Sequence, residues 1–283
     1  EKSGSVSVID TATDTVVRTL PGGKRPRGIA TDGTHLYISE APSSSLVVVN
    51  INTARQIKSI KLGESPEGVS VSPHNRLIAA AVEESNSVVL LDARKRRLIA
   101  EIKVEGDNPE HAVFSPDGRW LLVSAENAEQ VDVIDVKARR QVGSVPVGKR
   151  PRGIGFTPDG KRAYVACELA STVYAIDMDS RQVLAEIKAG TYANGVAMAP
   201  DGSRVYVSNG KDATVSVIRT SDHQIEATIP VGKRPWNMAV TPDGRKLYVA
   251  NGRSDSVTVI DTHRLEAVSD IQVGELPWGV VIR

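Results

Sequence analysis

Short apolar runs of four to seven residues, separated by polar turns, recur along the whole chain and never lengthen into a stripe of helical period. One unit shows the plan. Gly153-Ile154-Gly155-Phe156 is followed by the turn Thr157-Pro158-Asp159-Gly160 and then by runs over 163–167, 171–177 and 182–188. Proline pre-sets φ for such a turn, glycine relieves its tightest position, and the β-branched and aromatic residues of the runs suit a pleated surface. Four short strands joined by tight turns predict one antiparallel sheet. The turn returns at 115–118, 199–202 and 241–244, with looser forms at 31–33 and 72–75. The second strand returns at 36–40, 77–81, 121–125, 205–209 and 247–251, and the third at 5–10, 45–50, 87–92, 130–135, 214–219 and 256–261.

A glycine-led loop marks the period. Gly148-Lys149-Arg150-Pro151-Arg152-Gly153 has counterparts beginning at Gly23, Gly63, Gly106, Gly190, Gly232 and Gly274, spaced 40, 43, 42, 42, 42 and 42 residues in chain order. A fixed period of this length signals a repeat architecture. One four-stranded sheet alone would leave two apolar faces and two open edges, and packing the sheets face to face around an axis removes both problems. The expected fold is therefore all-β: a seven-bladed β-propeller of four-stranded antiparallel blades, with residues 1–283 as one domain. An open stacked solenoid is the architectural alternative. The third-type strand 5–10 has no second strand before it, and Trp278 to Ile282 reads as a first strand. The last blade is thus expected to be closed by N- and C-terminal strands, with one strand of it upstream of residue 1, preceded by a leader.

Composition narrows the partners. The chain has 35 Lys+Arg against 34 Asp+Glu, a net charge of +1, so no global field calls for nucleic acid or an anionic membrane. Its single cysteine, Cys167, excludes an internal disulfide, and no Cys-x-x-Cys-His is present for covalent c-type haem. No apolar run approaches the roughly 18 residues of a spanning helix, so membrane insertion by a helix is not expected. A monomer is expected.

The words Tyr248-Val249-Ala250-Asn251, Tyr206-Val207-Ser208-Asn209, Ser5-Val6-Ser7-Val8-Ile9-Asp10-Thr11 and Val147-Gly148-Lys149-Arg150-Pro151-Arg152-Gly153 resemble YVTN-family β-propeller repeats over the whole chain. Glu1-Lys2-Ser3-Gly4, with the Gly-Lys-Arg-Pro-Arg-Gly loops, is most similar to the subfamily of β-propeller proteins associated with PQQ-dependent catabolism. That resemblance implies an exported protein, periplasmic or secreted, acting beside quinoprotein alcohol oxidation. It carries over no catalytic residue. Ala193, where the loop proline is lost, and His111 and Asn237, where the last loop glycine is replaced, depart from the pattern.

In a propeller these loops share one face, around the channel mouth. Glycine beside an inner strand reads as room for close backbone approach, and the fold roles fall to Gly28, Gly68, Gly153, Gly195, Gly279 and the loop prolines. The positions between them carry the candidate chemistry. Two loops are strongly basic (Lys24, Arg25, Arg27; Lys149, Arg150, Arg152), two acidic (Glu64, Glu67; Asp107, Glu110), and Lys233, Arg234, Trp236 and Trp278 lie beside the first basic loop. Arginine forks and indole faces suit a planar, carboxylate-bearing anion. A solvated rim whose charges repeat by duplication is the plain counter-reading. The main expectation is a non-enzymatic binding scaffold of the cell envelope that takes a small anionic ligand, non-covalent PQQ among the candidates, or the acidic patch of a protein partner. One alternative is a lactonase-like hydrolase using Glu67, Glu110 and His111 as a carboxylate and imidazole cluster, since seven-bladed propellers host such chemistry. A further alternative is single-stranded nucleic acid stacked on Trp236 and Trp278, although the acidic loops interrupt the basic track. No metal site is expected: His35, His74, His223 and His263 map to turns on the opposite face in different blades. Cys167, ending a second strand, reads as a small buried side chain.

Overall fold

The structure, a computed structural model, describes residues 1–283. Its 26 strands form six four-stranded sheets and one two-stranded sheet, all antiparallel. The two-stranded sheet pairs β1 (Ser5–Asp10) with β2 (Thr15–Pro21). The first full blade follows as β3 (Pro26–Thr31), β4 (His35–Glu40), β5 (Ser45–Asn50) and β6 (Arg55–Lys61), in meander order. Five more blades of the same plan occupy 66–103, 109–146, 151–188, 193–230 and 235–272. The strand positions expected from the apolar runs fall on these strands. The expected closing strand at Trp278 to Ile282 differs, because segment 277–283 carries no strand ladder. A ladder needs a neighbour on its hydrogen-bonding edge, and β1 does not reach it.

The turn chemistry is local and repeats. Ser115, Thr157 and Thr241 each accept a hydrogen bond at Oγ from the strand that follows the turn: Trp120 N at 2.9 Å, Arg162 N at 3.1 Å and Lys246 N at 3.0 Å. The glycine ending each Pro-Asp-Gly turn takes a positive φ near 70° (Gly118 71°, Gly160 70°) that an L side chain resists. In all seven sheets the ladder between third-type and outer strand shifts register once, a bulge that adds twist and lets neighbouring blades nest.

Burial follows radius. Second and third strands are buried on both faces: Ile78 to Val82 and Val88 to Leu91 are fully enclosed. Outer strands such as β6 are largely exposed. The apolar clusters each span two adjacent blades, so the core is a set of inter-blade layers. The tightest contacts lie at the axis. A Cβ placed on Gly28 would sit 2.3 Å from the Glu67 carbonyl oxygen, and one on Gly153 would sit 2.5 Å from that of Asn194. Inner strands of neighbouring blades therefore touch backbone to backbone. A serine of the second strand ties this contact: Ser39 Oγ accepts from Gly28 N at 2.7 Å and donates to the Glu67 carbonyl at 2.6 Å. Ser208 does the same between Gly195 N, at 2.8 Å, and the Trp236 carbonyl, at 2.5 Å.

Gly153→Ala is expected to destabilise the chain by roughly 3 kcal/mol, since backbone on the next blade must yield to the new methyl group. Gly33→Ala, at a position with nothing within 4 Å but a φ of 87°, is expected to cost about 1 kcal/mol. Urea unfolding of both variants checks the difference.

Candidate active site

Each inner strand begins at the loop proline or its equivalent, so the residue after it occupies the same radial level in every blade: Arg27, Glu67, Glu110, Arg152, Asn194 and Trp236. The residue before the proline position is held in the left-handed region throughout (Arg25, Ser65, Asn108, Arg150, Tyr192, Arg234, Leu276), which turns the loop tip back over the mouth. Of the expected ligand residues, Lys24, Arg25, Lys149 and Lys233 stand toward the solvent on the rim. Arg27, Arg150, Arg152 and Arg234 turn inward.

The inward arginines meet carboxylates. Arg152, with 14% of its side chain exposed, reaches Glu110, Glu126 at 3.3 Å and Glu168 at 3.1 Å. Arg150 meets Glu126, and Glu168 at 3.4 Å. Arg234 donates to Glu168 at 2.7 Å. Arg27 is more loosely held, 3.6 Å from Glu1 and 3.7 Å from Glu67. The basic arc read from the loops is thus half of a buried ion network. Its acidic half includes Glu126 and Glu168, with Glu83 beside them accepting from Ser65 at 2.7 Å, and sequence reasoning singled out none of the three. All three directly follow a second strand, and their recurrence in three consecutive repeats was the available signal.

Between the arginines and glutamates lies a basin of about 310 Å³ lined by Arg25, Arg27, Glu67, Glu83, Glu110, Glu126, Arg150 and Arg152, with Ser65 and Ala41. Three polar atoms in its wall are buried without a hydrogen-bond partner: Arg27 Nε, Glu67 Oε2 and Arg150 Nε, the last in ion-pair contact with Glu126. His111 is not part of the wall. Its ring stacks on Trp278, with centroids 5.6 Å apart and planes at 23°. Trp236 instead packs over Gly252. The structure therefore brings Glu67 and Glu110 together in the basin, sets His111 beside it, and separates the two tryptophans.

Burial and charge drive the carboxyl groups apart in acidity. Desolvation first, and the neighbouring Glu110 charge second, push Glu67 up to about 8. Glu83 rises to about 7, chiefly by desolvation. Glu110 feels the same desolvation, but the Arg152 guanidinium, with Arg27 behind it, holds it below its ordinary value. Burial lowers His111, leaving a neutral imidazole at pH 7. One protonated and one ionised carboxyl side by side form a ready acid–base pair. Ligand oxygens of Glu83, Glu110 and Glu126 come within 4.8 Å of one another, close enough for a divalent cation, though Arg150 and Arg152 already neutralise this group. Cys167 is fully enclosed, and burial pushes its thiol up to about 12, so it is no nucleophile.

The family described as "Lactonase, 7-bladed beta-propeller" matches residues 135–275. That stretch contains Arg150, Arg152, Glu168 and Arg234 and stops short of Glu67, Glu83, Glu110 and Glu126. Among solved structures, the chain is similar to hydrazine synthase of Kuenenia stuttgartiensis, at 25% identity and a TM-score of 0.84 over 92% of this chain and 90% of that one. It is also similar to a functionally unknown protein from Desulfotomaculum acetoxidans DSM 771, at 17% identity and a TM-score of 0.86 over 99% and 96%. No curated protein matches. The sheets and these likenesses together make the chain a β-propeller protein. The lactonase match also overturns the expectation of a non-enzymatic binding scaffold and favours the hydrolase alternative. The ion network gives the physical reason: the arginines meant to grip an anion already hold glutamates.

Arg152→Ala is expected to destabilise the protein by about 3 kcal/mol, because Glu110, Glu126 and Glu168 lose a shared buried cation; chemical denaturation reads this directly. Between pH 4.5 and about 8 the folded chain keeps a proton on Glu67 that the unfolded chain has released, so stability falls as pH rises through that window. In Glu67→Gln that slope flattens, which unfolding curves taken across the range would reveal.

Proposed function

We propose that the protein is a lactone hydrolase whose chemistry takes place in the mouth basin. The observation that carries this reading is that Arg27 Nε and Glu67 Oε2 are buried without a hydrogen-bond partner or a close ion pair in the wall of a basin that also holds ionised Glu110. Each suits one step of ester-ring opening. Glu110 takes a proton from water as the water oxygen bonds to the lactone carbonyl carbon. Arg27 donates to the carbonyl oxygen as it gains negative charge, in a site where few other donors are free. Glu67, protonated near neutral pH, gives its proton to the ring oxygen as the carbon–oxygen bond breaks and the hydroxy acid forms. The proton gained by Glu110 then restores Glu67 through the shared basin. Arg152 holds Glu110 in place and keeps it ionised. The lining is polar except for Ala41, which favours a small hydroxylated lactone over an alkyl one.

We also infer that the closed ring has seven blades. The seventh glycine loop, at 274–279, has the same left-handed residue as the others at Leu276. Segment 277–283 runs at the inner-strand position, with Asn237 N donating to the Trp278 carbonyl at 3.3 Å and Gly279 against Ile29. The likeness of the repeat words to YVTN repeats fits the same frame.

A panel of sugar-derived and alkyl lactones, followed by proton release, tests the proposal. Turnover is expected for hydroxylated lactones, with kcat/KM rising as Glu110 ionises and falling near pH 8 as Glu67 loses its proton. Glu67→Gln and Glu110→Gln are each expected to lower kcat by about 10²-fold or more. Absence of turnover across the panel, or full activity in both variants, would overturn the assignment.

A further inference from the structure

The turns on the face opposite the mouth carry charge unevenly. In the adjacent blades 66–103 and 109–146, the turns at 92–97 and 135–140 contain Arg94-Lys95-Arg96-Arg97 and Lys137-Ala138-Arg139-Arg140, and those at 72–76 and 115–119 add Arg76 and Arg119. These are nine basic residues against three aspartates, a local charge of +6 in a chain of net +1. The equivalent turns of the other sheets, at 10–15, 32–34, 50–55, 157–161, 177–182, 199–203, 219–224, 241–245 and 261–266, hold six basic residues against eleven acidic ones. The basic sector is therefore local, and the face around it is acidic.

The four turns pack together. Ala93 N donates to the Arg76 carbonyl and Val136 N to that of Arg119, both at 3.0 Å, which sets the two turns of each blade side by side. Between the blades, Arg139 Nη1 donates to the Ile99 carbonyl at 3.5 Å, and Gly118 lies against Pro73. The aspartates face inward: Asp92, Asp117 and Asp135 accept from the backbone amides of Lys95 at 2.7 Å, Arg119 at 3.0 Å and Ala138 at 2.8 Å. The cations face out. All but half-buried Arg96 are exposed, and none of the nine forms an ion pair. Arg96 and Arg139 reach back over the preceding blade, but the turn itself needs no cation, since 10–15 contains none. Crowded like charges repel one another and cost stability, so folding does not account for the others.

We propose that this sector is a docking surface for an acidic segment of a partner protein, a short run of closely spaced glutamates or aspartates lying across the two blades. Seven of the nine cations are arginine, whose planar fork takes a carboxylate through two parallel hydrogen bonds. Exposed Leu98, directly after Arg97, adds an apolar contact at the edge. The surroundings restrict the occupant. A flat anionic bilayer would press on the acidic turns as well as the basic ones, and a long nucleic-acid duplex would run onto them. A single strand needs free aromatic faces on which its bases stack, and the indole of Trp120 is covered by Arg119 and Arg181 at 4.5 and 5.0 Å. A run of carboxylates confined to two blades meets the cations alone.

The test titrates the full chain with a labelled peptide of alternating glutamate and glycine and with its glutamine counterpart, read by fluorescence anisotropy at low and raised salt. Single-stranded and duplex oligonucleotides and phosphatidylserine vesicles are titrated in parallel. Saturable binding of the glutamate peptide is expected, weakened by salt and weaker by about tenfold or more for the glutamine peptide. The same loss is expected in each of two charge reversals on separate blades, Arg94→Glu/Arg97→Glu and Lys137→Glu/Arg140→Glu. All four side chains are exposed and make no hydrogen bond, so the fold is kept, which circular dichroism verifies. The proposal is overturned by absence of binding, by unchanged affinity in either reversal, by loss of affinity in the mouth variant Lys24→Glu/Lys149→Glu in their place, or by tighter binding of the oligonucleotides or vesicles.

Discussion

Crowding at the propeller axis is the constraint on which the rest depends. Six inner strands converge on a small circle, and the space left between neighbours admits backbone and no Cβ, as the 2.3 Å approach at Gly28 and the 2.5 Å approach at Gly153 require. The serine hydroxyls of Ser39 and Ser208 then serve two blades at once, satisfying an amide on one inner strand and a carbonyl on the next. Because a serine hydroxyl has both a donor and acceptor role, one small side chain settles two buried backbone groups that no sheet ladder reaches.

That packing sets the electrostatics of the mouth. Inner strands fixed backbone to backbone place their second residues close together on one level, whatever those residues are. Here the sequence puts arginine and glutamate there, and a second tier of glutamates arrives from the ends of the second strands. Each buried carboxylate would be costly alone, and shared arginines make the group tolerable. The compensation is uneven. Arg152 serves three glutamates, while Arg27 stands farther from its partners and Glu67 retains its proton. Acid–base capacity arises where the pairing is least complete.

Repetition also shows in β1, which pairs with β2 alone beside an apolar concavity lined by Val6, Val8, Leu36 and Val257. In the complete blades each third strand is enclosed by ladders on both edges and by neighbours on both faces, which leaves most of its residues buried. β1 has the sequence of such a strand, the same bulged ladder on one side and an apolar cleft on the other. Its apolar side chains are suited to an enclosure that the adjoining clusters supply only in part.

The sequence by itself determined what depends on local chemistry and period: the strands, the Pro-Asp-Gly turns, the four-stranded units, the close-approach glycines, the burial of Cys167, and the face on which the loops gather. These follow from alternation, turn geometry and spacing, which are properties of neighbouring residues. The place of Glu67 and Glu110 at the mouth was legible for the same reason, because both follow the loop proline. Only the tertiary structure decided which charges meet. Arg152 finds Glu110, Glu126 and Glu168, some 16 to 42 residues away, and His111 turns to Trp278 on the far side of the chain. Period fixes the level of a side chain in the ring, but its partner depends on ring radius, reach and rotamer, and these exist only once the ring is packed.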